Sequence, residues 1–504
     1  MAKAHGMMDA VRIADTPLAG NDVSMGSRSM GSRVRSAVLW RSGSQIFAQL
    51  VQWAATFMVI RILSPSDYGL FAMTQVVLVF LNMLNGYGLA SGLVQQTHVT
   101  QRQIRQMFGM LIVMNTALAA IQFALAPVVA TYYGHPTVAV MLRVQAVMYI
   151  TTPFAAVAYA MLSRAMDFKH LAAANVAASV ASASAALIGA LAGLGLWTLV
   201  FAPIVFFSMR AAVMTWAART LMWPMFDFRG AGALARYGAV MALGQAFWFV
   251  QSQADVFIAG RSFSPHVLGL YTTSLFLAQI FVAKVVPPLN EIAFSAYSRL
   301  QHDPAALADA FVRGMRIVMA GAMPFYVGLA ITAEPLVLTV LGEKWVEVVP
   351  IVRLIAIAMP CMTLQVLLTP ACDARGRPGI GVSNGAIGAV ILGCAFLVGV
   401  RFGPTGLAAA WVVTYPLYVL ASLTRALPVI GARWSEVGGA VVPPLVAAAL
   451  MAAVVRLVDF EIAGLQTQLR LAILVAVGAV VYGAALVLTA RPLLRDIASA
   501  IRLR

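Results

Sequence analysis

Long apolar runs separated by short polar stretches dominate this chain. About fourteen of them begin near residues 37, 68, 108, 138, 170, 196, 237, 268, 314, 348, 378, 405, 434 and 468. Roughly 20 mainly apolar residues make one helix that crosses a bilayer. The pattern therefore predicts an all-α integral membrane protein with about fourteen transmembrane helices. The fifth and sixth runs are parted only by Gly193-Leu194-Gly195, a turn rather than a loop. Residues 1–36 are polar, rich in Gly, Ser and Met, and lack the apolar core and cleavage site of a signal peptide. They are expected to form a cytoplasmic tail.

Composition sharpens this picture. Of the 504 residues, 61% are hydrophobic and 10% charged, with a mean hydropathy of +0.87. A soluble domain carries about 25% charged residues, so a soluble enzyme, a disulfide scaffold and a disordered chain are all excluded. The three cysteines, Cys361, Cys372 and Cys394, lie in or beside apolar runs and show no metal-ligand spacing.

The net charge of +16 changes the picture only when it is placed along the chain. With the N-terminus inside, 23 Lys and Arg fall on the inner side. Six fall outside: Arg61, Arg261, Lys344, Arg401, Arg456 and Arg470. That asymmetry follows the positive-inside rule, puts both termini in the cytoplasm and argues against nucleic acid as the partner. A multi-pass protein with both ends on the inner side of its membrane is the expectation. The outer loops are short, no Walker loop is present, and the six His form no metal cluster with the cysteines. Neither an enzyme nor a metal or organic cofactor is expected.

An internal repeat organises the spans. Residues 42–71 align without a gap on 242–271 with nine identities: Gln45/Gln245, Phe47/Phe247, Ala54/Ala254, Phe57/Phe257, Arg61/Arg261, Ser64/Ser264, Pro65/Pro265, Gly69/Gly269 and Leu70/Leu270. Phe71/Tyr271 is a conservative pair besides. Shared Arg, Ser, Pro, Gly and Gln are not explained by hydrophobicity. Arg61, Ser64, Pro65 and Gly69, with Arg261, Ser264, Pro265 and Gly269, are read as structural turns between spans 1 and 2 and between spans 7 and 8. A six-helix unit used twice keeps its orientation, giving two lobes related by a pseudo-two-fold along the membrane normal. The predicted layout is a tail at 1–36, an N-lobe at 37–218, a C-lobe at 219–430, two further spans at 431–490, and a basic cytoplasmic tail at 491–504.

Polar residues inside the spans supply the candidate chemistry. Arg41, Gln45, Gln49 and Gln52 share one face of span 1. Gln245, Ser252 and Asp255 share one face of span 7, with Gln251 one turn from Asp255. Such stripes avoid lipid and face a bundle interior or a water-filled cavity, although hydrogen bonds between packed helices are the alternative. Lys284, just before Pro287-Pro288, either marks a substrate pathway or snorkels to the inner headgroups. Snorkelling is the expectation for Arg210 and Arg353. Asp255 is a candidate to bind a coupling proton or sodium ion, or simply to pair with an arginine.

Three stretches carry a resemblance. Arg61-Ile-Leu-Ser-Pro-Ser-Asp-Tyr-Gly-Leu-Phe71, Phe294-Ser-Ala-Tyr-Ser-Arg-Leu-Gln301 and Leu341-Gly-Glu-Lys-Trp345 with Pro350 resemble the bacterial polysaccharide-transport proteins, the Wzx-type flippases. These belong to the multidrug/oligosaccharidyl-lipid/polysaccharide exporter superfamily. The resemblance spans roughly residues 36–430 and implies two six-helix lobes in a V plus two more helices. It implies flipping of undecaprenyl-pyrophosphate-linked oligosaccharide for exopolysaccharide, capsule or O-antigen synthesis, with a cationic lumen for the anionic carrier. Membrane lipids and a polysaccharide polymerase and co-polymerase would be its partners. Arg41 and Lys284 would meet the phosphates; Gln45, Gln49, Gln52, Gln245 and Ser252 would suit the glycan hydroxyls. The alternative on the same scaffold is a cation-coupled multidrug exporter, which would want an acidic, aromatic-lined cavity.

Overall fold

A computed structural model describes residues 47–83, 99–227 and 247–489 except position 248. The expected polar tail at 1–36, Arg41, Gln45, Gln245 and the basic tail at 491–504 lie outside the described residues. Every regular element among the described residues is helical.

The N-lobe comprises α1 (Phe47–Ile62), α2 (Pro65–Met83), α3 (Gln101–Tyr133), α4 (Pro136–Gln145), α5 (Met148–Arg164), α6 (Phe168–Leu191) and α7 (Leu196–Ala218). The C-lobe repeats that order. It holds α8 (249–262), α9 (Pro265–Lys284), α10 (Val286–Arg299), α11 (Pro304–Ile331), the short α12 (Ala333–Val340), α13 (Val348–Val366), α14 (Leu368–Ala374), α15 (Gly379–Gly399) and α16 (Gly403–Ile430). Two further helices follow, α17 (Trp434–Glu461) and α18 (Thr467–Thr489). Ten stretches among these are long and apolar enough to cross a bilayer, and one of them, Gly379–Ile430, folds back on itself as α15 and α16. With α1, α2 and α8, the order amounts to about fourteen crossings.

Several spans that read as one apolar run are broken, and proline explains two of the breaks. Pro287 and Pro288 supply no N–H to the preceding turn, so the helix parts at Val285 and Lys284 becomes the last residue of α9. Pro370 frees the carbonyl of Val366 in the same way, and the Asn290 side chain donates to it at 3.1 Å. Other helices begin well before their apolar run. α3 starts at Gln101 behind a Thr100–Gln103 capping box, and α11 starts behind Asp303 with Pro304 in its first turn. Hydropathy registers the part of a helix inside hydrocarbon, whereas caps mark where the helix starts.

The hairpin α6–α7 turns through Gly193 and Gly195, at φ 75° and 50°, a region that favours glycine. Its counterpart α15–α16 turns at Gly403, φ 78°, and packs so closely that a Cβ on Gly399 would lie 2.8 Å from the Gly406 carbonyl oxygen. α18 docks on the C-lobe through Tyr482, which donates to the Ala320 carbonyl at 2.7 Å, and it is tied to α17 by Arg470, which bonds Asp459 at 2.7 Å. Arg353, expected only to reach the headgroups, lies 3.7 Å from Glu334.

The chain leaving α7 is strapped to the start of α3. Arg105 donates to the Trp223 carbonyl, Met225 N–H donates back to Arg105, and Arg102 pairs with Asp227 at 2.8 Å. Gly109 permits this approach, because a Cβ there would sit 2.2 Å from the Met225 oxygen. Gly109→Val is expected to detach the strap and destabilise the protein by about 1–3 kcal/mol. A lower melting temperature in detergent and faster proteolysis within residues 219–227 would register it; parent-like values would show that the strap has slack.

Candidate functional site

A cavity lies in the N-lobe, between α1, α2, α5, α6 and α7, with one residue contributed from α9. Its volume is about 710 Å³, within the roughly 300–1,000 Å³ usual for small-molecule sites. Gln49, Gln52 and Thr56 of α1 face it from one side. Asn175, Ser179 and Ser182 of α6 face it from another, and Tyr68, Tyr159 and Ser163 add hydroxyls. The remaining wall is aliphatic and aromatic.

Lys284 is the single charged residue among the described residues of this lining. It comes from the other lobe, placed by the proline break that ends α9. A helix C-terminus carries partial negative charge that favours a cation. Among the described residues no carboxylate lies within ion-pair distance of Lys284. A cation in the membrane interior costs roughly 2.5–3.5 kcal/mol on insertion scales, so its place on a polar cavity wall is physically sensible. Its described lining thus offers amides and hydroxyls, one cation and no carboxylate.

The sequence stripes part company here. Gln49, Gln52 and Lys284 come together, but Ser252 and Asp255 do not join them. Ser252 donates to the Phe249 carbonyl at 3.2 Å. Asp255 is only 1% exposed and faces the interior of the C-lobe. Its carboxylate accepts from Tyr271 Oη at 2.8 Å and from the Val256 amide at 2.8 Å. Tyr271 Oη in turn accepts from Trp411 Nε1 at 2.8 Å, and Tyr415 stacks on Trp411 at 5.2 Å. Gln251 lies against Gly388, where a Cβ would meet its Nε2 at 2.4 Å. No arginine or lysine pairs with Asp255 among the described residues.

The wall formed by Asn175, Ser179 and Ser182 was missed at the sequence level, although its spacing of four and three is a helical face. On a helix so rich in Ala and Ser, small hydroxyls read as packing residues.

The two lobes meet along α2 and α9, and the duplicated turns lie at the end of this seam. A Cβ on Gly69 would sit 1.8 Å from the Pro265 oxygen, and a Cβ on Gly269 would sit 1.8 Å from the Pro65 oxygen. Arg61 donates to the Thr339 carbonyl at 2.9 Å, across the lobes. Arg261 donates to the Tyr132 carbonyl, across the lobes in the opposite sense, and its guanidinium lies 5.6 Å from the Tyr132 ring centre. Trp345 Nε1 reaches the Ile60 carbonyl at 2.9 Å and Lys344 Nζ reaches that of Ile62 at 2.6 Å. Burial holds the Lys344 ammonium below the usual lysine range, and Asp67 across the seam offsets part of that.

A match to a family model described as "Polysaccharide biosynthesis protein" extends over residues 58–350, more than half the chain. The chain belongs to this family. Among curated relatives it is 26% identical over 456 residues to the succinoglycan biosynthesis transport protein ExoT of Rhizobium meliloti (strain 1021), covering 88% of this chain and 90% of that one. It is 23% identical over 464 residues to the teichuronic acid biosynthesis protein TuaB of Bacillus subtilis (strain 168), covering 90% and 95%. Among solved structures, the lipid II flippase MurJ in an inward closed conformation shares the fold at TM-score 0.73 and 13% identity, over 91% of this chain and 100% of that one. An inward-facing multidrug resistance MATE family transporter of the MOP superfamily follows at TM-score 0.59 and 12% identity, over 76% and 95%. The family member described here is therefore a multi-pass membrane protein with the two-lobed fold of that superfamily.

Proposed function

We propose that this protein flips a polyprenyl-pyrophosphate-linked oligosaccharide repeat unit from the cytoplasmic to the outer leaflet of a bacterial inner membrane. The product would serve exopolysaccharide, capsule or O-antigen synthesis. The carrying observation is the cavity lined by amides and hydroxyls, with Lys284 as the one charge among its described residues. A pyrophosphate wants charge-assisted hydrogen bonds, and a glycan wants many neutral donors and acceptors. Names among the relatives and fold neighbours, a succinoglycan transport protein and a lipid II flippase, support the same class. A cation exporter would want carboxylates in that cavity, and its described lining has none.

In this reading the lobes, taken as 37–218 and 219–430, rock about their seam while the lipid tail stays in the bilayer. Arg41 joins Lys284 at the phosphates. Gln45, Gln49, Gln52, Gln245 and Ser252 contact the glycan as the cavity changes shape. No covalent chemistry is required. Asp255 binds the coupling proton or sodium ion, both termini stay in the cytoplasm, and a polymerase with its co-polymerase receives the product.

The deciding experiment follows lipid-linked oligosaccharides in cells lacking the protein and its redundant relatives. A membrane-impermeant glycosidase acting on right-side-out vesicles reports the outer leaflet. Glycan protected from the enzyme, and released when the gene is restored, is the expected result. Normal outer-leaflet intermediates in the deleted strain would refute the reading.

A further inference from the structure

The duplicated turn does more than connect spans. Its four matched residues recur at equivalent places in both lobes, and the arginine, proline and glycine of each copy contact the opposite lobe. Pro65 closes on Gly269 as Pro265 closes on Gly69. Arg61 reaches Thr339 at the end of α12, and Arg261 reaches Tyr132 at the end of α3. The last turns of α1 and α8 are covered in the same crossed manner. Trp345 bonds the Ile60 carbonyl, and Tyr133 presses on Gly260, where a Cβ would lie 2.6 Å from its ring. Aromatic pairs extend the exchange, with Phe57 of α1 on Phe276 of α9 and Phe80 of α2 on Phe249 of α8.

We propose that these turns form a two-fold clasp, the outer gate of the flippase, in which Arg61, Arg261, Lys344 and Trp345 hold the lobes shut and Gly69 and Gly269 let them touch. The proposal rests on the flippase reading for which side is outer and for the need to open there. Its physical basis is the nature of the bonds. Three of the four donors carry a charge, every acceptor is a backbone carbonyl at a helix end, and none needs a partner from its own lobe. Arg61, Arg261 and Lys344 lie at the protein surface, where water can replace each lost bond. Only the Trp345–Ile60 bond is buried, so parting the seam exposes one buried donor to water and costs little at the three charged donors. The glycine contact works oppositely, because backbone against backbone cannot yield by a rotamer change. Any side chain at Gly69 or Gly269 therefore pries the seam from within.

The test reads the gate directly. In a background with Cys361, Cys372 and Cys394 replaced, Asn175→Cys on the cavity wall is labelled by a membrane-impermeant maleimide added from outside. The cells carry no lipid-linked glycan, so the readout is independent of what is transported. Arg61→Ala with Arg261→Ala is expected to raise the outside labelling rate at least tenfold, about 1.4 kcal/mol in the opening equilibrium. Gly69→Ala is expected to raise it by a similar factor through steric opening. Labelling from the inside, in inverted vesicles, certifies that each variant is folded. Unchanged outside labelling in both variants, with normal inside labelling, would overturn the clasp. The leaflet experiment above stands or falls separately, since it never reads this gate.

Discussion

Lys284→Ala is expected to reduce flipping at least tenfold while leaving the protein inserted and folded. The side chain is the single charge on the described cavity wall and has no carboxylate partner among the described residues, so its removal strands no buried counter-charge. The stability cost is therefore small, unlike that of breaking a buried ion pair. What disappears is a charge-assisted bond to phosphate, worth about 1.5–3 kcal/mol. Tenfold corresponds to about 1.4 kcal/mol, so the loss spans roughly one to two decades. Lys284→Arg should retain most activity, because it keeps the charge. Reconstituted flipping of a fluorescent lipid-linked oligosaccharide measures it, with detergent melting temperature as the folding control. Wild-type transport by Lys284→Ala would remove the lysine from the substrate path and leave it as a headgroup anchor.

Much of this architecture was legible because membrane physics writes it in plain terms. Apolar runs mark helices, and the repeat 42–71/242–271 marks two like lobes. The kinks were partly legible, since Pro287-Pro288 announces the break after Lys284. The seam was not. Nothing local in Arg-x-x-Ser-Pro says whether the arginine serves its own turn or the opposite lobe; that depends on how two distant repeats pack. Leu341-Gly-Glu-Lys-Trp345 stood out only as a family resemblance, yet Lys344 and Trp345 bond the carbonyls of Ile62 and Ile60. In Phe294–Gln301 the structural content is similar: Tyr297 packs against Phe311, and the Gln301 carbonyl accepts from Arg375 at 2.7 Å. The polar stripes were visible as stripes, but periodicity gives a face and not its neighbour. Gln49 and Gln52 face the cavity, whereas Asp255 faces Tyr271.

The repeat also locates where the lobes differ. Positions 55 and 71 in the N-lobe hold Ala55 and Phe71, and both line the open cavity. Their counterparts in the C-lobe are Asp255 and Tyr271, which bond each other in a closed core. One lobe thus keeps space at this place, and the other fills the same place with a carboxylate and its donors.

Asp255→Asn is accordingly expected to uncouple transport. Two donors point at the carboxylate, the Val256 amide at one oxygen and Tyr271 Oη at the other, with Trp411 donating to Tyr271 behind it. All three favour negative charge, yet no lysine or arginine among the described residues balances it. A buried carboxylate so arranged takes up a cation or a proton to become neutral, which is the property a coupling site requires. Asparagine has one oxygen for two donors, so it leaves one donor unmet, at about 1–3 kcal/mol, and it cannot exchange a charge. In proteoliposomes under an imposed proton or sodium gradient, the parent's flipping rate should rise with the gradient. The Asp255→Asn rate should fall at least tenfold and no longer respond. Tyr271→Phe removes one donor while keeping the carboxylate, so it should flip more slowly but still follow the gradient. If Asp255 only stabilises the C-lobe, Asp255→Asn will lower the melting temperature, and its residual transport will still follow the gradient.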